Sequence, residues 1–176
     1  MPRVNTKRKN NAGEPYSCDR CSEKIMAGQT YHEWSFRYGG THRQHTSHGI
    51  PRASQLTQSK MSAAYAAVES AEAEIAAARK TGDARDVPSF LNTCAEEIGN
   101  VRDEYQESLD GMPDGLQQGT AGQDIQEKID ALSEFADALE SKAAEIESEL
   151  DMEADAAAAN ESAFDEAESA LEELSI

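Results

Sequence analysis

The sequence predicts a mainly α protein: a small treble-clef-like zinc finger followed by an antiparallel three- to four-helix coiled-coil bundle. Three observations carry this. Cys18-x2-Cys21 and the histidines of His42-x2-His45-x2-His48 give two short-spaced ligand sets about twenty residues apart. Apolar residues after position 60 recur at three- and four-residue steps. Of the 176 residues, Phe, Leu, Ile and Val supply only 25, whereas Ala alone supplies 28, so the core suits slender paired helices rather than a broad globule.

Charge is divided as sharply as pattern. Residues 1–52 hold nine Lys/Arg against four Asp/Glu, a net of +5, whereas residues 53–176 hold seven against thirty, a net of −23. A basic head could meet nucleic acid, and an acidic body would be repelled by it. Three cysteines with one of them, Cys94, isolated in a helical pattern do not make a disulfide framework, and the expected location is cytoplasmic. No apolar run is long enough for a membrane span, and the basic start has no apolar region behind it to make a secretion signal.

Taken in order, residues 1–14 are polar, basic and aperiodic and read as a flexible arm carrying Lys7, Arg8 and Lys9. Residues 15–52 read as the zinc finger. Thr30 to Tyr38 alternates, with His32, Trp34, Phe36 and Tyr38 on one face of a strand, their aromatic rings forming the mini-core of the finger. Gly39-Gly40 supplies positive-φ residues for a two-residue turn, and a return strand from Thr41 to His45 brings the second ligand pair back. His42 and His45, three apart on one strand, start on opposite faces, so the expected ligands are Cys18, Cys21, His45 and His48, with His42 in reserve. Two thiolates and two imidazoles suit structural Zn2+ in a closed tetrahedral shell.

Residues 53–150 read as the acidic bundle. The first helix follows Pro51, with Ser54 or Thr57 as N-cap, runs to about Lys80 and carries Met61, Tyr65, Val68, Ala71, Ile75 and Ala78. The second follows Pro88, capped by Ser89, with Leu91, Cys94, Ile98, Val101, Tyr105, Ser108 and Met112 in a heptad seam, where Cys94 is a small core residue. Gly111-Met-Pro-Asp-Gly115 breaks it, and Gly119 to Gly122 extends the loop. In the third, Ile125, Ile129, Leu132, Ala136, Leu139, Ala143, Ile146 and Leu150 alternate four- and three-residue steps, with Glu127, Asp130, Glu134 and Asp137 among the charges between them. Residues 151–176 form an acidic amphipathic C-terminal helix or tail with Phe164, Ala167, Leu171 and Leu174 as its stripe.

The run Cys18-x2-Cys21-x3-Ile25-x2-Gly28-x2-Tyr31-x2-Trp34-x-Phe36-Arg37, then Pro51-Arg-Ala-Ser-Gln-Leu-Thr-x-Ser-Lys60, resembles uncharacterised phage and prophage zinc-finger proteins. The likeness continues through Glu104-Tyr105-x2-Ser108, Met112-Pro113 and Gly115-Leu116-Gln117. In that family a cysteine often replaces one of the histidines, so the resemblance implies the site and leaves its third and fourth ligands open. The finger is also distantly similar to the poly(ADP-ribose) polymerase type, which reads DNA breaks, in its paired ligands and hairpin alone.

No nucleophile elbow, phosphate-cradling glycine loop or His-Glu-x-x-His helix is present, so a non-enzymatic role is expected. The leading expectation is a binding or adaptor protein of a phage or mobile element. Its head, through Lys7, Arg8, Lys9, Arg20, Lys24, Arg37 and Arg43, would contact nucleic acid weakly and non-specifically, or a host protein. Its helices would contact an unidentified protein partner or a second copy of the chain. A DNA-mimicking inhibitor of a host defence or DNA-binding protein, and a virion or scaffold component, are the alternatives.

Overall fold

The computed structural model describes residues 6–152 and 156–172, and the chain divides into two compact units, Met1–Ser62 and Ala63–Ile176. It is mainly helical with a small antiparallel sheet.

In the first unit, strands β1 (Lys7–Asn10), β4 (Thr30–Phe36) and β5 (Gly40–His45) form a three-stranded antiparallel sheet in the order β1-β4-β5. Strands β2 (Tyr16–Ser17) and β3 (Lys24–Ile25) form a separate ribbon. The stretch expected as a flexible arm is therefore, over Lys7–Asn10, an edge strand in register Lys7↔Glu33 to Asn10↔Thr30. The reason lies just beyond it. Asn11 is buried, donates through Nδ2 to the carbonyls of Ile25 (2.7 Å) and Glu14 (3.2 Å), and accepts the Gly13 N–H on Oδ1 (3.0 Å). Its own N–H donates to Gln29 and its carbonyl accepts from Gly28. A buried amide with every group bonded fixes the segment that precedes it.

Each face of the sheet carries a buried aromatic, because Tyr31 and Trp34 are three apart on β4 and point to opposite sides. Tyr31 packs with Cys18, Ile25 and Tyr16 on one face. On the other, Trp34 is buried and its indole donates to the Gln55 carbonyl at 3.1 Å. The Gln55 amide donates in turn to Gln44 Oε1 (3.1 Å), and Gln44, wholly buried, donates to the Gly49 carbonyl (3.0 Å). These bonds hold residues 52–56 against the sheet, with Ser54–Leu56 as a 3-10 turn. The first helix accordingly starts at Met61, not directly after Pro51. The aromatic mini-core is narrower than expected: Trp34 is in it, but Tyr38 lies past the strand end and is 87% exposed. Phe36 pairs with Gly40, so the hairpin loop is Arg37-Tyr38-Gly39, and only Gly40 takes positive φ (79°).

In the second unit, α1 (Met61–Thr81), α2 (Val87–Asp110), the single-turn α3 (Asp114–Gln117), α4 (Thr120–Met152) and α5 (Ala156–Glu172) follow one another. α1 buries Ala64, Ala67, Val68, Ala71 and Ile75, adding two alanines to the expected stripe and leaving Tyr65 half-buried. α2 begins at Val87, with Pro88 inside its first turn, where a missing N–H costs nothing. Its buried residues include Leu91, Cys94, Ile98, Val101 and Tyr105. α4 is 33 residues, about 50 Å at 1.5 Å per residue. It starts five residues before Ile125, because Gly122 lets it begin against α3: a Cβ there would stand 2.0 Å from the Gln117 carbonyl. α2 and α4 share the most extensive contact in the unit, and with only residues 111–119 between them α4 can lie along α2 only by running back. Ile129, Leu132, Ala136, Leu139, Ala143 and Ile146 are buried, joined by Phe135.

α5 is a separate helix that packs on α4 and touches α2, and its buried residues are Ala159, Ala163, Phe164, Ala167 and Leu171. Leu174 lies outside the described residues. Arg79 reaches Glu161 (3.1 Å), Asp165 (2.7 Å) and Glu168 (3.2 Å) and sits over the Phe164 ring, while Asn160 bonds the Gly82 carbonyl and the Ala84 N–H. Polar contacts from the end of α1 and the residues after it thus hold α5 as well. Among the described residues, no helix is long and apolar enough to cross a membrane.

Candidate metal centre

The Cys18–Cys21 segment is the turn between β2 and β3. Pairing of Tyr16 with Ile25 and Ser17 with Lys24 brings its ends together. Cys18 N–H donates to the Glu23 carbonyl (2.8 Å) and Ser22 N–H to the Cys18 carbonyl (2.9 Å). Ser22 takes φ of 62°, a left-handed turn that costs a non-glycine residue roughly 1 kcal/mol and closes the loop around the sulfurs. This knuckle seats on the outer edge of β5. Asp19 N–H donates to the Arg43 carbonyl (2.8 Å), and Asp19 Oδ2 accepts the Arg43 N–H (2.9 Å).

His45 ends β5, and His48 ends the 3-10 turn Thr46–His48, which Gly49 terminates at φ 79°. Arg20 ties this turn to the knuckle by donating to the His48 carbonyl (3.1 Å). One ligand atom from each of Cys18, Cys21, His45 and His48 lies within 4.8 Å of all the others, and Cys21 Sγ is 3.7 Å from His45 Nδ1. Four donors around a tetrahedral ion with bonds of about 2.0–2.3 Å stand roughly 3.3–3.8 Å apart, so slight inward closure would complete a shell. His48 Nε2 is buried without a hydrogen-bond partner, which a metal ion would supply. The four residues fit a metal ion.

The two thiols are shifted in opposite directions. Burial pushes Cys18 up, but the backbone N–H groups of Cys21, His45 and Arg20, with the Cys21 thiol, outweigh it and bring Cys18 down to about 6. The Glu23 N–H pulls Cys21 down, yet burial and the neighbouring Cys18 sulfur leave it raised overall. Backbone donors aimed at sulfur stabilise a thiolate, the form that ligates metal.

His42 is occupied elsewhere. Its Nδ1 lies 3.1 Å from Asp19 Oδ2, and its ring stacks on Trp34 at 5.5 Å with Phe36 edge-on. The candidate cations divide. Lys9 and Arg43 both bind Glu33, which holds the Glu33 carboxyl below its usual range against the upward push of burial. Arg43 also lies 4.0 Å over the Tyr16 ring, and Arg37 sits over Tyr38. Arg20 is committed to His48. Lys7, Arg8 and Lys24 are exposed and make no ion pair among the described residues. Sequence reasoning missed Asp19, Asn11 and the Gln44–Gln55 pair, single polar residues whose burial or partners no periodicity reveals.

Comparison with family models, curated proteins and solved structures returned no match.

Proposed function

We propose that the chain is a non-enzymatic, zinc-dependent binding protein, an adaptor of the phage zinc-finger kind its sequence resembles. Its treble-clef-like head is held by one structural zinc ion, and its coiled-coil helices offer an acidic surface to a protein partner. The observation carrying this reading is the convergence of Cys18, Cys21, His45 and His48. Two sulfurs and two nitrogens would close the zinc shell and leave no position for a substrate. Glu33, the carboxylate that could have served as a base, is neutralised by Lys9 and Arg43.

A protein partner fits the head better than DNA does. With Lys9, Arg20 and Arg43 engaged internally, about four of the seven candidate cations are left for phosphates, for a salt slope near −3 to −4. Such binding would fall on the order of a hundredfold between 50 and 200 mM salt.

The test is metal content together with Trp34 emission. Purified protein should hold one zinc per chain, and Cys18→Ser or a strong chelator should remove it and expose Trp34, while the helical far-ultraviolet signal persists. Zinc-free protein with an unchanged head refutes the reading.

A second reading rests on α4, whose Glu127, Asp130, Glu134 and Asp137 are all exposed along one side. Such a row imitates the charge of a nucleic-acid backbone and suits a DNA-mimicking inhibitor. Recovery of a basic DNA-binding protein by the helical unit would favour it; recovery through the head would favour the adaptor.

A further inference from the structure

The two edges of the three-stranded sheet differ. On β5 the knuckle covers the outward edge at Arg43 and His45: Asp19 binds both the N–H and the carbonyl of Arg43, and the His45 N–H points at the Cys18 sulfur. On β1 the outward backbone groups have no backbone partner among the described residues. Asn11 N–H donates inward to Gln29, so alternation along an antiparallel ladder turns Lys9 and Lys7 inward to β4 and leaves the N–H and carbonyl of Arg8 and Asn10 facing away from it. All four residues of β1 are exposed, and no neighbouring strand covers them among the described residues.

This open edge is also basic. Lys9 is bound to Glu33, whereas Lys7 and Arg8 have no ion pair among the described residues, and they project to opposite faces of the sheet at adjacent positions. Cations on an edge repel a second copy of the same edge and so prevent self-pairing. The same cations favour a strand of opposite charge.

We propose that β1 is a docking edge for an extended acidic peptide, which adds to the sheet as a fourth strand. The peptide's backbone meets the open groups of Arg8 and Asn10, and two consecutive carboxylates lie opposite Lys7 and Arg8. This deepens the adaptor reading by naming the partner class of the head, and it rests on the zinc-held head being folded. Nucleic acid would use the charge of the edge but not its hydrogen-bond ladder.

The test uses the full zinc-loaded chain and a fluorescent peptide alternating Val with a central Glu-Glu pair, measured by anisotropy. Expected results are saturable binding, a loss of at least about tenfold in Lys7→Glu/Arg8→Glu, and a similar loss when the peptide is N-methylated at its ladder positions. Asn10→Pro removes an outward N–H without touching a charge or a bond to β4, and should also weaken binding, whereas Asn10→Ala should not. Zinc stoichiometry and Trp34 emission are measured on every variant, so a lost head is distinguished from a lost edge. Three results overturn the proposal: no binding to the zinc-loaded chain, equal binding of the N-methylated peptide, or tighter binding of a single-stranded oligonucleotide that Asn10→Pro leaves unchanged.

Discussion

Replacing Asn11 by Ala tests whether one buried amide anchors the N-terminal strand. The side chain makes three hydrogen bonds, to the Ile25 and Glu14 carbonyls and from the Gly13 N–H. Each such bond contributes about 1 kcal/mol, and a buried group left unpaired costs about 1–3 kcal/mol. The Ile25 carbonyl is in a buried contact and loses its side-chain donor, whereas the Glu14 and Gly13 groups are better placed to find water. The sum is about 2–4 kcal/mol. Trp34, the single tryptophan, reports the head, so urea unfolding followed by its emission in saturating zinc gives the difference directly. With a urea dependence of about 1 kcal/mol per molar for so small a unit, the midpoint should fall by roughly 2 M or more. Asn11→Asp keeps the Gly13 contact but sets a buried carboxylate oxygen against the Ile25 and Glu14 carbonyls, so it should cost at least as much as Asn11→Ala. A change below about 0.5 kcal/mol for Asn11→Ala would mean that β1 is held by its ladder alone.

The remaining predictions concern the helical unit. Leu139→Ala, at a position with 0% exposure, should cost about 2–5 kcal/mol in denaturant melts followed by far-ultraviolet circular dichroism. Burial, then the nearby Glu97 and Glu72, pushes the Cys94 thiol up to about 12, so alkylation at neutral pH should label it only as the helical unit opens. The Arg85 guanidinium, then the Arg85 N–H, lowers the Asp83 carboxyl to about 2. Its folded value lies below its unfolded one, so the stability it contributes is present above about pH 4 and is lost as pH falls toward 2. A carboxyl NMR titration should place the midpoint near 2 and return it toward the ordinary value in Arg85→Ala.

What the sequence made legible follows from the range of each interaction. The helices announced themselves because burial of a stripe repeats: Leu132, Leu139 and Ile146 are seven apart, and all are fully buried. The convergence of Cys18, Cys21, His45 and His48 was legible because Cys-x2-Cys and the histidine spacing are local constraints that the hairpin merely brings together. Misplaced boundaries arose where one side chain reaches across the fold. Gln55 and Trp34 hold back the start of α1, Asn11 converts a basic tail into a strand, and Gly122 advances α4. Tyr38 was assigned to the core by alternation, but the strand ends at Phe36, and beyond that point alternation no longer dictates burial.

The Gln44–Gln55 amide pair has a practical consequence for anyone cutting the molecule apart. A recombinant head that stops at residue 52, where the charge balance changes sign, would discard Gln55 and strand the Trp34 indole and the Gln44 carbonyl oxygen without acceptor or donor. Such a truncation would misbehave for reasons unrelated to metal. A fragment retaining residues through Ser62, where the first compact unit ends, keeps that lock and the Ser62 bond to the Ser54 carbonyl, and is the shorter version in which to study chelation.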